Sequence, residues 1–237
     1  MLTVKADFYA ASEWAAMTAK QIPFATAMAL TRTAQDVKRA EIATMKQVFD
    51  RPTRYVLDAL YVQPASKATL TAQVGFKDTF FTRAGSTDAW TILGPHIEGG
   101  GRKMKKSEIH IFGNYYVPTK YAASYLDSHG NLPGGLLYKI QGQLMVQTDP
   151  LNNATNSRRS QANRANMRFF IQRMATGYKA VMLRLGNSRD AVPFLLEIPA
   201  PQYRKRFPYW DVADKTIRDR LPVNWDAAIQ YAMGTTR

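Results

Sequence analysis

Three histidines, four carboxylates near the start and a long run of arginines are the residues of this chain that could do chemistry. His96, His110 and His129 stand far apart, and none falls in HxxxH or HExxH spacing. A metal ligand set needs paired donors at fixed offsets, so each histidine is expected to be structural or superficial. No serine sits in a GxSxG turn, and no partner pairs Asp7, Glu13, Asp50 or Asp58 for acid–base work. Gly99-Gly100-Gly101 lacks the GxxxxGK[ST] spacing of a phosphate loop and reads as a flexible helix entry. The expectation is no catalytic residue, no metal and no cofactor.

The basic residues say more. No Asp or Glu occurs between Asp149 and Asp190. That span holds Arg158, Arg159, Arg164, Arg168, Arg173, Lys179, Arg184 and Arg189. Guanidinium groups bind phosphate oxygens as a two-pronged fork and keep their charge in any environment. Further clusters are Arg102, Lys103, Lys105 and Lys106, and Arg204, Lys205 and Arg206. From these clusters, Arg102, Lys103, Lys105, Lys106, Arg158, Arg159, Arg164, Arg204, Lys205 and Arg206 are the expected contacts with DNA or an acidic partner. The bland counterpart is a solvated basic face that aids solubility. No helix-turn-helix, zinc-finger or RRM signature accompanies the clusters, which argues against sequence-specific readout.

Composition agrees with a polyanionic neighbour. The 237 residues carry a net charge of +14, and 46% are hydrophobic, enough for a packed core. There is no cysteine, so disulfides and thiolate metal sites are excluded. The start, MLTVKADFYAASEWAAM, contains Asp7 and Glu13 and lacks the pattern of a signal peptide. No run has the length to span a bilayer, so the expectation is a cytosolic product with no membrane partner.

These residues need elements to hold them. From Gln21 the apolar residues Leu30, Ala34, Val37, Met45, Val48 and Phe49 share one arc of a helix, with Arg32, Asp36, Arg39 and Lys46 opposite. Glu41 interrupts the apolar arc. Pro23 suits the first turn, and Asp50-Arg51-Pro52 ends the helix. Leu70, Ala72, Val74 and Phe76 alternate with polar neighbours as the second strand of a hairpin. A helix is expected over 102–112, another around Leu137, Ile140 and Leu144 ending near Asp149-Pro150, and extended chain at 115–118. Residues 151–166, LNNATNSRRSQANRAN, have no apolar period and read as a mobile loop. Strands follow at 169–171, 178–185 and 192–198, with Pro193 marking an edge strand or an early, unpaired N–H. Two helices close the chain, about Tyr209–Arg220 and, capped by Asn224, Asn224–Met233. Leu30, Val37, Val48, Val74, Val181, Leu183 and Phe194 are the expected core.

The ordered set FDRPT, LYVQPASKATLTAQVGFKD, HIEGGGRKMKKSE, SHGNLPGGLLYKIQGQL, YKAVMLRL, AVPFLLEI and PQYRKRFPYW resembles the minor tail protein Z family of tailed phages and prophages. The resemblance covers most of the chain and extends, more loosely, to other phage neck and tail-completion proteins that form rings. It implies a structural virion protein at the head–tail joint, assembling with itself as a ring. It also implies contact with portal, connector or tail proteins and with the passing DNA. With periodicity, it implies one α+β domain over 1–237: a mostly antiparallel sheet against a long N-terminal helix and C-terminal helices, plus an arm at 1–20. The alternative from the residues alone is a non-specific nucleic-acid-binding protein.

Overall fold

The computed structural model describes residues 8–77 and 87–235, with side chains described from residue 21 onward. The elements in chain order are α1 (Phe8–Val48), α2 (Arg54–Leu57), β1 (Leu60–Gln63), β2 (Gln73–Phe76), α3 (Ala89–Glu98), β3 (Gly100–Gly101), α4 (Lys106–Ile111) and β4 (Tyr115–Pro118). A 3-10 turn (Lys120–Tyr125) leads to α5 (Gly134–Gln143), α6 (Arg158–Asn166), β5 (Met167–Arg173), β6 (Lys179–Leu185), β7 (Val192–Ile198), β8 (Gln202–Tyr203) and α7 (Tyr209–Gly234). The class is α+β, with every strand pair antiparallel.

Where the sequence predicts one domain, the chain divides into two compact units, residues 1–97 with 205–237 and residues 98–204. The reason lies in the strands. The early hairpin β1–β2 stays a sheet of its own and does not join the late strands, which form a separate sheet in the order β4-β7-β6-β5. Each unit therefore closes its own core.

In the first unit α1 packs along α7. The buried positions of α1 include Ala25, Ala29, Thr33, Val37, Glu41 and Met45, one every four residues. A row with that spacing runs as a ridge along a helix and fits the groove of a neighbour. Ala25 and Ala29 meet Ala228 and Ala232, all at most 1% exposed, so small side chains let the helices approach closely. Asp36, expected on the far side, instead faces α7. Its Oδ2 accepts hydrogen bonds from Asn224 Nδ2 at 2.9 Å and Arg220 Nε at 3.2 Å. Asn224 Nδ2 also donates to Thr33 Oγ1 at 3.1 Å. Asn224 is thus a buried rivet inside α7 and not a cap, because the helix continues through Pro222. Proline there forfeits one backbone hydrogen bond, a loss the packed face tolerates. Pro23 likewise lies inside α1. At the other end Met45, Leu60, Leu93, Phe207 and Tyr209 form the main core of this unit. Of the expected core, Val37, Val181, Leu183 and Phe194 are buried, but Leu30, Val48 and Val74 are half-buried; Leu70, expected on the apolar side of the second hairpin strand, is exposed.

In the second unit Phe169, Val181, Leu183, Phe194 and Leu195 meet Ile111, Phe112 and Ile140, so α4 and α5 cover the four-stranded sheet. β7 is an interior strand, so of the two readings of Pro193 the edge strand fails, and the proline stands early, second in β7. The proline pairs with Met182 beside a register irregularity at Val181/Met182, where a ladder bond is already interrupted. The three glycines do not enter a helix. Gly99 and Gly100 have φ of 82° and 92°, and Gly100–Gly101 pairs with β8. The helix expected over 102–112 shortens to α4, and α5 stops at Gln143, before Met145 turns to φ 62°.

Candidate polyanion-binding site

The basic excess is concentrated in the second unit. Residues 98–204 carry fifteen Lys and Arg against six Asp and Glu, a net +9 of the chain's +14. Its most basic surface is built from α6, β5, β6 and the turn after β6.

The segment expected to be a mobile loop is partly helix. Ser157 (φ −61°, ψ 151°) caps α6, its Oγ accepting the Ser160 N–H at 3.3 Å. Ser160 Oγ accepts the Thr155 N–H at 3.1 Å, and Gln161 Nε2 donates to the Asn156 carbonyl at 2.8 Å. Serine at the cap satisfies amides that the first turn leaves open. None of α6 is buried, so no apolar period betrays it in the sequence. The helix runs straight into β5, whose outer edge is held by one side chain from α5. Gln143 Nε2 donates to the Met167 carbonyl at 2.9 Å, and its Oε1 accepts the Phe169 N–H at 2.8 Å. The amide acts as a short extra strand and covers an edge that would otherwise present open backbone groups.

Two concavities result, both lined by Gln143 and Arg164. The smaller, about 520 Å³, adds Lys139, Ser157, Arg159 and Asn163. The larger, about 930 Å³, adds Arg168, Arg184, Arg189 and Phe170. Neither lining includes an acidic side chain. Arg168 and Arg184 are direct partners across β5 and β6. The Arg184 guanidinium lies over the Phe170 ring, 5.2 Å from its centroid, and its buried Nε has no hydrogen-bond partner. Arg164 Nη2 donates to the Thr155 carbonyl at 3.0 Å.

The predicted contacts separate into groups. Arg158, Arg159 and Arg164 lie on α6 beside the clefts. Lys103, Lys105 and Lys106 are exposed at and just before the start of α4. Arg102 is no surface contact. Its Nη1 donates to Glu108 Oε2 at 2.7 Å, its Nε to Tyr203 Oη at 3.2 Å, and it stacks on Tyr115. Glu108 accepts a further bond from the Lys105 N–H, so the residues form a buried knot that ties α4 to β8. Arg206 is also engaged, over the Phe49 ring and donating through Nε to His96 Nδ1 at 3.2 Å. Arg204 and Lys205 are exposed where the units meet in sequence. Arg168, Arg184 and Arg189 belong to the acid-free run seen in the sequence but not to the expected contacts. Their signal is the hairpin register, which sets 168 opposite 184.

The histidines are scattered. His96 packs edge-on to Phe49, and burial first, then the Arg206 charge, push its pKa down to about 4. His110 meets the Thr148 hydroxyl at 3.4 Å, and the His129 N–H donates within the Asp127 turn. Among the described residues no three His, Cys, Asp or Glu gather as a metal site would need, and no helix is long and apolar enough to cross a membrane.

No protein-family model, curated protein or solved structure matches this chain.

Proposed function

We propose that the chain is a structural protein of a tailed phage or prophage particle, part of the neck or tail-completion ring that joins head to tail. It acts by stoichiometric binding and not by catalysis, is assembled in the host cytoplasm and resides in the virion. The ordered resemblance of its segments to the minor tail protein Z family supplies the setting. The arginine-bearing clefts within residues 98–204, whose linings hold no acidic side chain, are the observation that carries it: a neck component meets a polyanion or an acidic ring surface, and this face suits either. Three arginines on a capped, solvent-facing helix present charge outward without contributing to the core.

A second reading, a non-specific nucleic-acid-binding protein, draws on the same face. Context separates the two. A neck protein locates to the head–tail joint in averaged images of particles and co-purifies with portal or tail proteins in a fixed ratio. A free DNA binder does neither. Replacing Arg158, Arg159 and Arg164 together by Glu is expected to lower the fraction of heads joined to tails while the fold survives, because none of α6 is buried. Normal joining by that variant would remove the basic face from the function.

A further inference from the structure

We propose that the larger cleft, between the C-terminal half of α6 and the β5–β6 face, is a nucleic-acid site that grips the phosphodiester backbone. This deepens the reading above, and rests on it for the presence of DNA, by naming which surface meets DNA and which side chains do so.

Four arginines line this cleft: Arg164 from α6, Arg168 from β5, Arg184 from β6 and Arg189 from the following turn. Arg168 and Arg184 stand directly opposite each other in an antiparallel ladder. Like charges in that position destabilise a sheet pair, and no carboxylate lines the cleft to offset them. The fold does not require this arrangement. Phe169 with its partner Leu183, and Val181, supply the core contacts of the two strands. A bound anion removes the repulsion and turns it into attraction.

The cleft is also preorganised. Phe170 supports the Arg184 guanidinium from one face, Gln143 fixes the strand edge, and the Thr155 carbonyl holds Arg164. Planar forks held in place favour tetrahedral phosphate oxygens over the single charges of a mobile lysine surface. At about 930 Å³ the concavity exceeds one phosphate and accommodates a stretch of backbone. Asn187 and Ser188 add neutral polar groups at the rim. No helix-turn-helix, zinc-finger or RRM signature accompanies the cleft, so binding is expected to be independent of sequence.

The test uses the full chain and a short random-sequence DNA duplex, with affinity measured across a salt series. Each lost phosphate contact lowers the log–log salt slope by about one. Arg168→Gln and Arg189→Gln, singly, are expected to lower the slope by about one each and the double variant by about two. Lys215→Gln, at an exposed position of α7, leaves it unchanged. Arg189→Gln keeps the test open should the strand position impair folding, which circular dichroism checks. Slopes equal to the parent in folded variants overturn the proposal. So does binding of polyglutamate that depends on the same arginines and matches DNA in affinity, which would make the cleft a protein-docking site. Head–tail joining by the same variants is scored separately. Localisation of the chain at the joint despite an unchanged slope rejects the cleft and keeps the neck assignment, whereas a lowered slope without localisation does the reverse.

Discussion

Among the described residues each unit buries one glutamate almost completely, and the two are treated in opposite ways. Glu108, in the second unit, is 1% exposed and accepts a fork from Arg102 and the Lys105 N–H. Burial alone would raise its pKa, but the Arg102 and Lys105 bonds outweigh that and hold it below the ordinary value of 4.5. Glu41, in the first unit, is 0% exposed, and neither carboxylate oxygen has a hydrogen-bond partner. Burial pushes its pKa from 4.5 up to about 8. The same side chain is an anion in one core and a neutral acid in the other. Two buried partners stabilise charge, whereas a buried group with no partner sheds it.

The comparison is broken hardest by removing Arg102. Arg102→Met leaves Glu108 buried and charged with most of its support gone, and is expected to cost about 3 kcal/mol or more by denaturant unfolding. Adding Glu108→Leu should return much of that loss, because a matched apolar pair has no stranded charge. Failure of the double variant to recover would show that the knot matters for geometry and not for charge balance.

Glu41 sharpens the contrast through pH. Its folded pKa lies above the unfolded one, so its stabilising contribution is full below 4.5 and is lost as pH rises through about 8. Glu108 works in the other direction, its contribution present above 4.5 and lost as pH falls through its lowered folded value. Glu41→Leu is therefore expected to stabilise the chain by on the order of 1 kcal/mol at neutral pH and to flatten its stability profile between 4.5 and about 8. A parent profile that is already flat between those values would mean that Glu41 has a partner in solution.

The smallest expected effect is at Tyr209, whose pKa burial, then the Glu41 charge, raise to about 12. Its hydroxyl donates only a long 3.4 Å bond to the Val74 carbonyl. Tyr209→Phe should change stability by about 0.5 kcal/mol or less and leave the alkaline midpoint in place. A shift of that midpoint would reveal a Tyr209–Glu41 hydrogen bond.

Periodicity alone located the long helix, the hairpin and the strands at 178–185 and 192–198, because a half-buried element must alternate or repeat to keep one face dry. It also flagged Glu41 as a break in an apolar arc, and the tertiary structure places it inside the buried row. The same logic passed over α6, whose stability comes from capping bonds and not from a buried face. The acid-free span from Asp149 to Asp190 is a property of the sequence, and so is its charge. Which arginines act together is not. Register sets Arg168 opposite Arg184, and a fork to Glu108 withdraws Arg102 into a core. Division into two units was likewise decided in three dimensions, by the early hairpin closing on α1 and α7 and not on the later strands. Side-chain chemistry and repeat length are local and can be read along the chain. Strand pairing, ion-pair choice and the company of a buried charge depend on residues far apart in sequence, and only the packed fold brings those together.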